Sequence, residues 1–330
     1  ELRVRLHQHF GRMPSISMLA RGASLATLAR WFGASSSTTP IQETVSSDTQ
    51  QAADARGDHG LLVTLRNGAG PLVALVHPVG GNVLCYQDLA NGWPGDPTIV
   101  AIRHPHADQD RPPAYLSIAQ LASRYRAAWL AAHGTLPDVL GGWSFGGIVA
   151  HEMAAQWEAE GRAAPPLVIV DTPLHEGEFA TRLRALAGDF VNEDATQVVE
   201  AWLADPRFDT MLDRDFYLAD VRRRAHPATF AHISRLHAVS AVALARHRPH
   251  QVRTRIDYAL ANRNAGGMSG TQVTQYLRRL TGGSVAVSVF DDDHNSIVRE
   301  PSARRVAAFL DGSPDATRVG FEPLAQETPA

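Results

Sequence analysis

Short apolar runs and longer stretches of helical periodicity take turns along most of this chain. Strand-like runs lie at Leu61–Arg66, Leu72–His77, Thr98–Ile102, Asp138–Gly142, Leu167–Asp171, Ile256–Ala261 and Val285–Phe290. Several are apolar throughout rather than alternating, as expected for a parallel sheet covered on both faces. Between them Ser117–His133 and Phe145–Glu160 carry helical spacing, and Ser302–Leu310 reads as a closing helix. The rhythm breaks once. Thr172 to Thr254 is a far longer interval than a plain crossover needs, and its apolar positions are helical in character: Phe179, Leu183, Leu186 and Phe190, then Val198, Trp202 and Leu203, then Phe216–Val221 and Phe230–Leu244. An excursion of this kind, at about 175–250, is expected to be a helical lid, with a decorative insertion as the alternative.

The ends behave differently. Residues 1–33 read as two or three short helices, with stripes at Leu2, Leu6 and Phe10 and at Leu25, Leu28, Ala29 and Phe32, too few to bury a core alone. Residues 34–60 mix Ser, Thr, Gln, Asp and Ala with almost no large apolar side chains, the composition of a flexible linker. Residues 311–330 are expected to be a disordered tail. A single large α/β domain over 61–310 therefore carries the chemistry.

Composition narrows the partners. A net charge of −3 argues against nucleic-acid binding as the main task. No apolar run is long enough to span a bilayer, and the start is a polar amphipathic stretch rather than a signal peptide, so the default expectation is a cytoplasmic protein without a membrane partner. Cys85 is the lone cysteine, which excludes an internal disulfide and leaves cysteine-rich metal sites without ligands; no metal is expected.

Gly142-Trp-Ser-Phe-Gly146 is the chemical centre of the chain. A strand run precedes it and a helical pattern follows, the context in which G-x-S-x-G forms a sharp turn that presents a nucleophilic serine. That points to an α/β-hydrolase fold with Ser144 as nucleophile. A serine hydroxyl needs a base to take its proton and a carboxylate to orient that base, in the chain order Ser, acid, His. Position must select among 15 histidines. His294 follows the last strand run, ahead of the closing helix, where a loop can place an imidazole over the serine. His104, His106, His151, His226, His232, His237, His247 and His250 read as surface or packing residues. Asp171 ends the strand after the elbow helix and is the expected acid, although a strand-end aspartate can also cap a turn. On the next strand Asp257 sits near the start, and Asn262 and Asn264 stand where an acid would be needed.

The oxyanion of a tetrahedral intermediate needs two backbone N–H donors. Phe145, just after the serine, is expected to supply one. Val79 is expected to supply the other, from His77-Pro-Val-Gly-Gly81, whose small residues let the backbone approach a ligand; phosphate cradling is the alternative, but no phosphate-loop motif accompanies it. Tyr86 is a candidate substrate-binding residue at a chamber mouth, or packs inside. Arg222-Arg-Arg224 meets an acidic carrier or its phosphate, or is a solvated helix face.

At these residues the chain resembles the type I thioesterase domains that end modular polyketide synthases and nonribosomal peptide synthetases. The matching pieces are His77-Pro-Val-Gly-Gly81 running into Cys85-Tyr-Gln-Asp-Leu89, Gly141–Gly147, Val168-Ile-Val-Asp-Thr-Pro173, and Asp293-His294 before the last helix. Residues 1–33 are similar to the later helices of an acyl carrier domain. The resemblance implies that Ser144 takes a finished acyl chain from a carrier-bound phosphopantetheine thioester, with His294 as base and acid and Asp171 fixing its tautomer. Water, or a hydroxyl or amine of the chain itself, then releases a hydrolysed or cyclised product. It also implies no dissociable cofactor, an upstream carrier domain of the same synthase as partner, and either a monomer or a homodimer. A free-standing esterase or editing thioesterase, and an inactive hydrolase-fold docking domain, are the competing readings.

Overall fold

The computed structural model describes residues 60–107, 112–172, 194–205, 227–263 and 268–312. The expected carrier remnant, all of the linker but Gly60, lid positions Phe179–Phe190 and Phe216–Val221, Arg222–Arg224 and the tail beyond Gly312 lie outside the described residues.

Seven strands form one sheet: β1 (Leu62–Arg66), β2 (Leu72–Val76), β3 (Thr98–Ile102), β4 (Val139–Trp143), β5 (Leu167–Val170), β6 (Ile256–Ala261) and β7 (Val285–Phe290), in the spatial order β1-β3-β2-β4-β5-β6-β7. Every pairing is parallel except that of edge strand β1, which runs antiparallel to β3. The apolar runs are central strands, as their composition predicts. β5 and β6 are buried at every position.

Helices cover both faces. Around the sheet lie α1 (Gln87–Gly92), α2 (Ile118–His133), α3 (Phe145–Ala159), α4 (Ala195–Leu203), α5 (Pro227–Arg246), α6 (Gly270–Leu280) and α7 (Ser302–Leu310). Tyr125, Trp129, Met153, Trp157 and Tyr276 of α2, α3 and α6 fill the core on one face. Leu89 of α1, Val306 and Leu310 of α7, with Tyr86 and Phe290, fill the core on the other. Ser117 and Gln120 make a reciprocal capping box that starts α2, and Gly134 stops it in the left-handed conformation. A second box, Ser269 with Gln272, starts α6. The sequence expectation contained neither α1 nor α6. α1 spans less than two turns, too short to show a period, and α6 buries only Val273, Tyr276 and Leu277 in an otherwise polar run.

The long interval between β5 and β6 contains α4 and α5, whose helical character was expected. α5 is more than an appendage. Its residues from Leu236 to Ala245 are buried, and Val239, Val242 and Leu244 join the main core. Because β2, β4, β5, β6 and β7 run the same way, the loops that follow them emerge at one edge of the sheet. The site is built there.

Candidate active site

Ser144 joins β4 to α3 with φ 57° and ψ −129°, a conformation L-residues rarely adopt and that costs on the order of 1–3 kcal/mol. The surroundings hold it. Its N–H donates to the Val170 carbonyl at 3.0 Å, and its own carbonyl accepts from the Gly147 N–H at 3.1 Å and from Thr172 Oγ1 at 2.9 Å. The flanking glycines are needed for close approach: a Cβ on Gly146 would sit 2.1 Å from the Val76 carbonyl oxygen, and one on Gly142 would sit 2.5 Å from Gly146 backbone.

The loop after β7 brings His294 to this elbow. Its Nε2 lies 3.0 Å from Ser144 Oγ and its Nδ1 lies 2.6 Å from Asp171 Oδ2. A carboxylate only accepts, so Nδ1 carries the hydrogen and Nε2 presents a lone pair to the serine hydroxyl. Asp171 is itself anchored: Oδ1 accepts the Ala261 N–H at 3.0 Å, and its backbone N–H donates to Ala259 O at 2.8 Å. Its φ of 38° bends the chain at the strand end. The three residues expected from chain order thus converge in one hydrogen-bonded relay. The rival Asp257 lies near the start of β6, bonded to Arg255 Nε at 2.8 Å; burial raises its pKa, against the pull of Arg255.

Trp143 completes the support of the imidazole. Its indole Nε1 donates to the His294 carbonyl at 2.9 Å, and its ring lies 5.0 Å from the imidazole, tilted by 36°. The loop is braced by Asp293, whose carboxylate accepts the N–H groups of Asn295 and Ser296, and by Asp292, which accepts from Ser296 Oγ.

The two residues expected to supply N–H donors lie at the start of α3 and in the loop after β2. Phe145 is the first residue of α3, where no intrahelical acceptor exists. Val79 is in the turn Pro78–Gly81, closed by the Gly81 N–H to the Pro78 carbonyl at 2.9 Å. Among the described residues neither amide donates to a protein acceptor.

Tyr86 takes the second of its two expected places, and its reading as a substrate-binding residue is corrected. It is wholly buried rather than at a chamber mouth, with its hydroxyl donating to the Val76 carbonyl and accepting the Trp143 N–H at 2.8 Å. It ties the ends of β2 and β4 together and offers no atom to a substrate. Cys85 donates weakly to Asn82 O at 3.6 Å, and burial pushes its thiol up to about 12, against a smaller opposing pull from Arg299, which disqualifies it as a second nucleophile.

The histidines set aside as packing residues mostly grip backbone. His104 Nδ1 accepts from the His106 N–H, His106 Nδ1 accepts from the Ala114 N–H, and His232 Nε2 donates to the His106 carbonyl. His237 Nδ1 donates to Ile233 O, while His250 lies 3.3 Å from the buried Glu152. His77 differs. It ends the strand run that leads to Val79, and it is held at both ring nitrogens, Nδ1 to Pro78 O and Nε2 to Tyr125 Oη, each at 2.7 Å. Burial lowers its pKa to about 4, so the ring is neutral at physiological pH. Sequence reasoning singled out neither His77 nor Trp143 for the site; the signal available was their adjacency to Val79 and Ser144. Among the described residues no group of three or more His, Cys, Asp or Glu is placed to hold a metal ion, and no helix is long and apolar enough to cross a membrane.

The thioesterase domain family matches residues 71–313, about three quarters of the chain. The chain belongs to the thioesterase domain family. A nonribosomal peptide synthetase of Aspergillus terreus is 28% identical over 39% of this chain and 14% of its own length. An inactive atromentin synthetase of Paxillus involutus is 32% identical, and an atromentin synthetase of Suillus grevillei 30% identical, each over 31% of this chain and 11% of theirs. The chain therefore spans only a small part of the curated relatives it matches. Among solved structures, the Vlm2 thioesterase domain bound with a dodecadepsipeptide superposes with a TM-score of 0.60 at 21% identity, over 77% of this chain and 98% of that one. The NocB thioesterase domain, in covalent complex with a fluorophosphonate nocardicin G analogue, gives 0.56 at 23% identity, over 76% and 97%. A four-domain nonribosomal peptide synthetase covers 94% of this chain with 23% of its own, at a TM-score of 0.59 and 21% identity. The thioesterase domain thus has the expected α/β-hydrolase fold.

Proposed function

We propose that this thioesterase domain releases a finished polyketide or polyketide–peptide chain from the phosphopantetheine of an upstream acyl carrier domain, through an acyl-enzyme on Ser144. One observation carries the reading: the unbroken relay from Ser144 Oγ through His294 to Asp171, at 3.0 and 2.6 Å. His294 Nε2 takes the hydroxyl proton as Ser144 Oγ attacks the thioester carbonyl. The carbonyl oxygen becomes an oxyanion received by the N–H groups of Val79 and Phe145. Collapse expels the phosphopantetheine thiolate, to which His294 returns the proton. Water, or a hydroxyl or amine within the acyl chain, then attacks the ester with His294 again as base, giving a hydrolysed or cyclised product. The interval that holds α4 and α5 acts as the lid that controls water access. No step needs a metal or a dissociable cofactor, because the pantetheine arm arrives with the substrate.

The test is turnover of an acyl-N-acetylcysteamine thioester. Native protein is expected to cleave it and Ser144→Ala to leave it intact; retained turnover by the variant overturns the assignment. The likeness to a relative named inactive favours a second reading, a hydrolase fold kept for docking. Stoichiometric labelling of Ser144 by a fluorophosphonate removes that reading, and failure to label supports it.

A further inference from the structure

We propose that His77 and Tyr125 are positioning residues that aim the Val79 N–H at the oxyanion, a role that rests on the Ser144 acyl-enzyme of the preceding section. The Pro78 carbonyl and the Val79 N–H are the two ends of one planar peptide group, so whatever grips the oxygen sets the direction of the hydrogen. Two donors grip it: the Gly81 N–H at 2.9 Å, which closes the turn, and His77 Nδ1 at 2.7 Å. A carbonyl only accepts, so Nδ1 must carry the ring hydrogen, and Nε2 is left as an acceptor. Tyr125 Oη, 2.7 Å from Nε2, is therefore the donor in that bond and fixes the tautomer. Burial raises the Tyr125 pKa well above its ordinary value, so the phenol keeps the hydrogen it donates.

The imidazole also faces the second half of the hole. Its ring stacks on Phe145, with centroids 5.9 Å apart and planes inclined by 30°. One buried histidine thus touches both the Pro78–Val79 peptide group and the ring of Phe145. Ser240 Oγ of α5 holds the next peptide by donating to Val79 O at 3.3 Å. Hydrogen-bonding the Pro78 oxygen also polarises the shared peptide and strengthens its N–H as a donor. Neither His77 nor Tyr125 has to meet the substrate for this; both act through Val79.

A histidine that merely fills the core would affect folding and rate together, and the variants separate the two. In His77→Asn the side-chain amide reaches the position of Nδ1 and keeps a donor for Pro78 O. In His77→Gln the amide reaches the position of Nε2 and the donor is lost. The readout is phosphonylation of Ser144 by an alkyl fluorophosphonate, whose phosphoryl oxygen needs the same hole but no thioester. We expect His77→Gln to lower the limiting rate constant about tenfold to a hundredfold, short of deleting a donor outright, with little change in reagent affinity. We expect His77→Asn to recover most of that rate and Tyr125→Phe to fall between, with thermal midpoints measured on each. A native rate in His77→Gln overturns the inference, as does an equal loss in the Asn and Gln variants that follows their stability. If His77→Gln does not fold, a native rate in Tyr125→Phe overturns it. A native chain whose Ser144 does not react overturns this inference together with the nucleophile, whereas one that reacts yet spares acyl thioesters removes only the thioesterase reading.

Discussion

Two histidines flank the elbow, each held at both ring nitrogens, and their surroundings differ in kind. His294 binds a carboxylate at Nδ1 and a hydroxyl at Nε2, and its side chain is 35% exposed. His77 binds a carbonyl at Nδ1 and a phenol at Nε2, and it is 0% exposed. Both rings carry the hydrogen on Nδ1. What separates them is whether a positive charge can be tolerated. His294 lies beside the Asp171 carboxylate and partly in water, the surroundings in which the proposed mechanism has it accept and return a proton. Within the core, with only neutral partners, charging the ring means stranding a buried cation, so His77 is fixed as a neutral bracket. On the proposed mechanism the same side chain with the same tautomer serves as proton carrier or as strut, according to the charge of its partner and its access to water.

The sharpest way to break this contrast is to give His294 a neutral partner. Asp171→Asn removes the charge and permits the wrong tautomer, so kcat is expected to fall by about 10⁴ while the fold persists. Steady-state turnover of an acyl thioester reads it; a loss of only a few-fold would mean that Asp171 does not set the state of His294.

Acid provides the converse test on His77. Its folded pKa of about 4 lies below the ordinary 6.5, so between those values the unfolded chain binds more protons than the folded one. Stability present above pH 6.5 is therefore lost as pH falls toward 4, and His77 should account for about 2 kcal/mol of the loss between pH 7 and 5. Urea unfolding of native protein and His77→Asn at both pH values measures it. Other buried histidines lower both curves alike; identical pH slopes would show that His77 charges freely.

The smallest effect is expected at Trp143. Phe in its place keeps an aromatic face for His294 but loses the donor to its carbonyl, a bond worth about 1 kcal/mol, so kcat should fall roughly fivefold with KM nearly constant. A change in KM alone would move Trp143 from the base to the substrate.

Different parts of this site were legible to different degrees. Ser144 and Phe145 could be read from five consecutive residues, because the elbow is a local backbone device whose glycines announce it. His294 and Asp171 followed from chain order, since parallel strands deliver their trailing loops to one sheet edge. Tyr86 was left open between a chamber mouth and the core. An aromatic after a glycine loop can face a cavity or the core, and only the meeting of β2 with β4 shows its hydroxyl spanning two backbones. Tyr125 lies within the Ser117–His133 stretch, for which only helical spacing was expected; it sits on the buried face of α2, and periodicity says nothing of what its hydroxyl meets.

The amino-acid order alone determined the alternation of strands and helices, the strained serine turn, and the relay of serine, acid and histidine, because each depends on neighbours in the chain or on the direction of parallel strands. Tertiary structure decided which polar groups answer one another: Tyr125 and His77, Trp143 and His294, Tyr86 and two strands. Those pairings join residues 48, 151 and up to 57 positions apart. Hydrogen bonds act over about 3 Å, and no pattern along the chain measures a distance across the core.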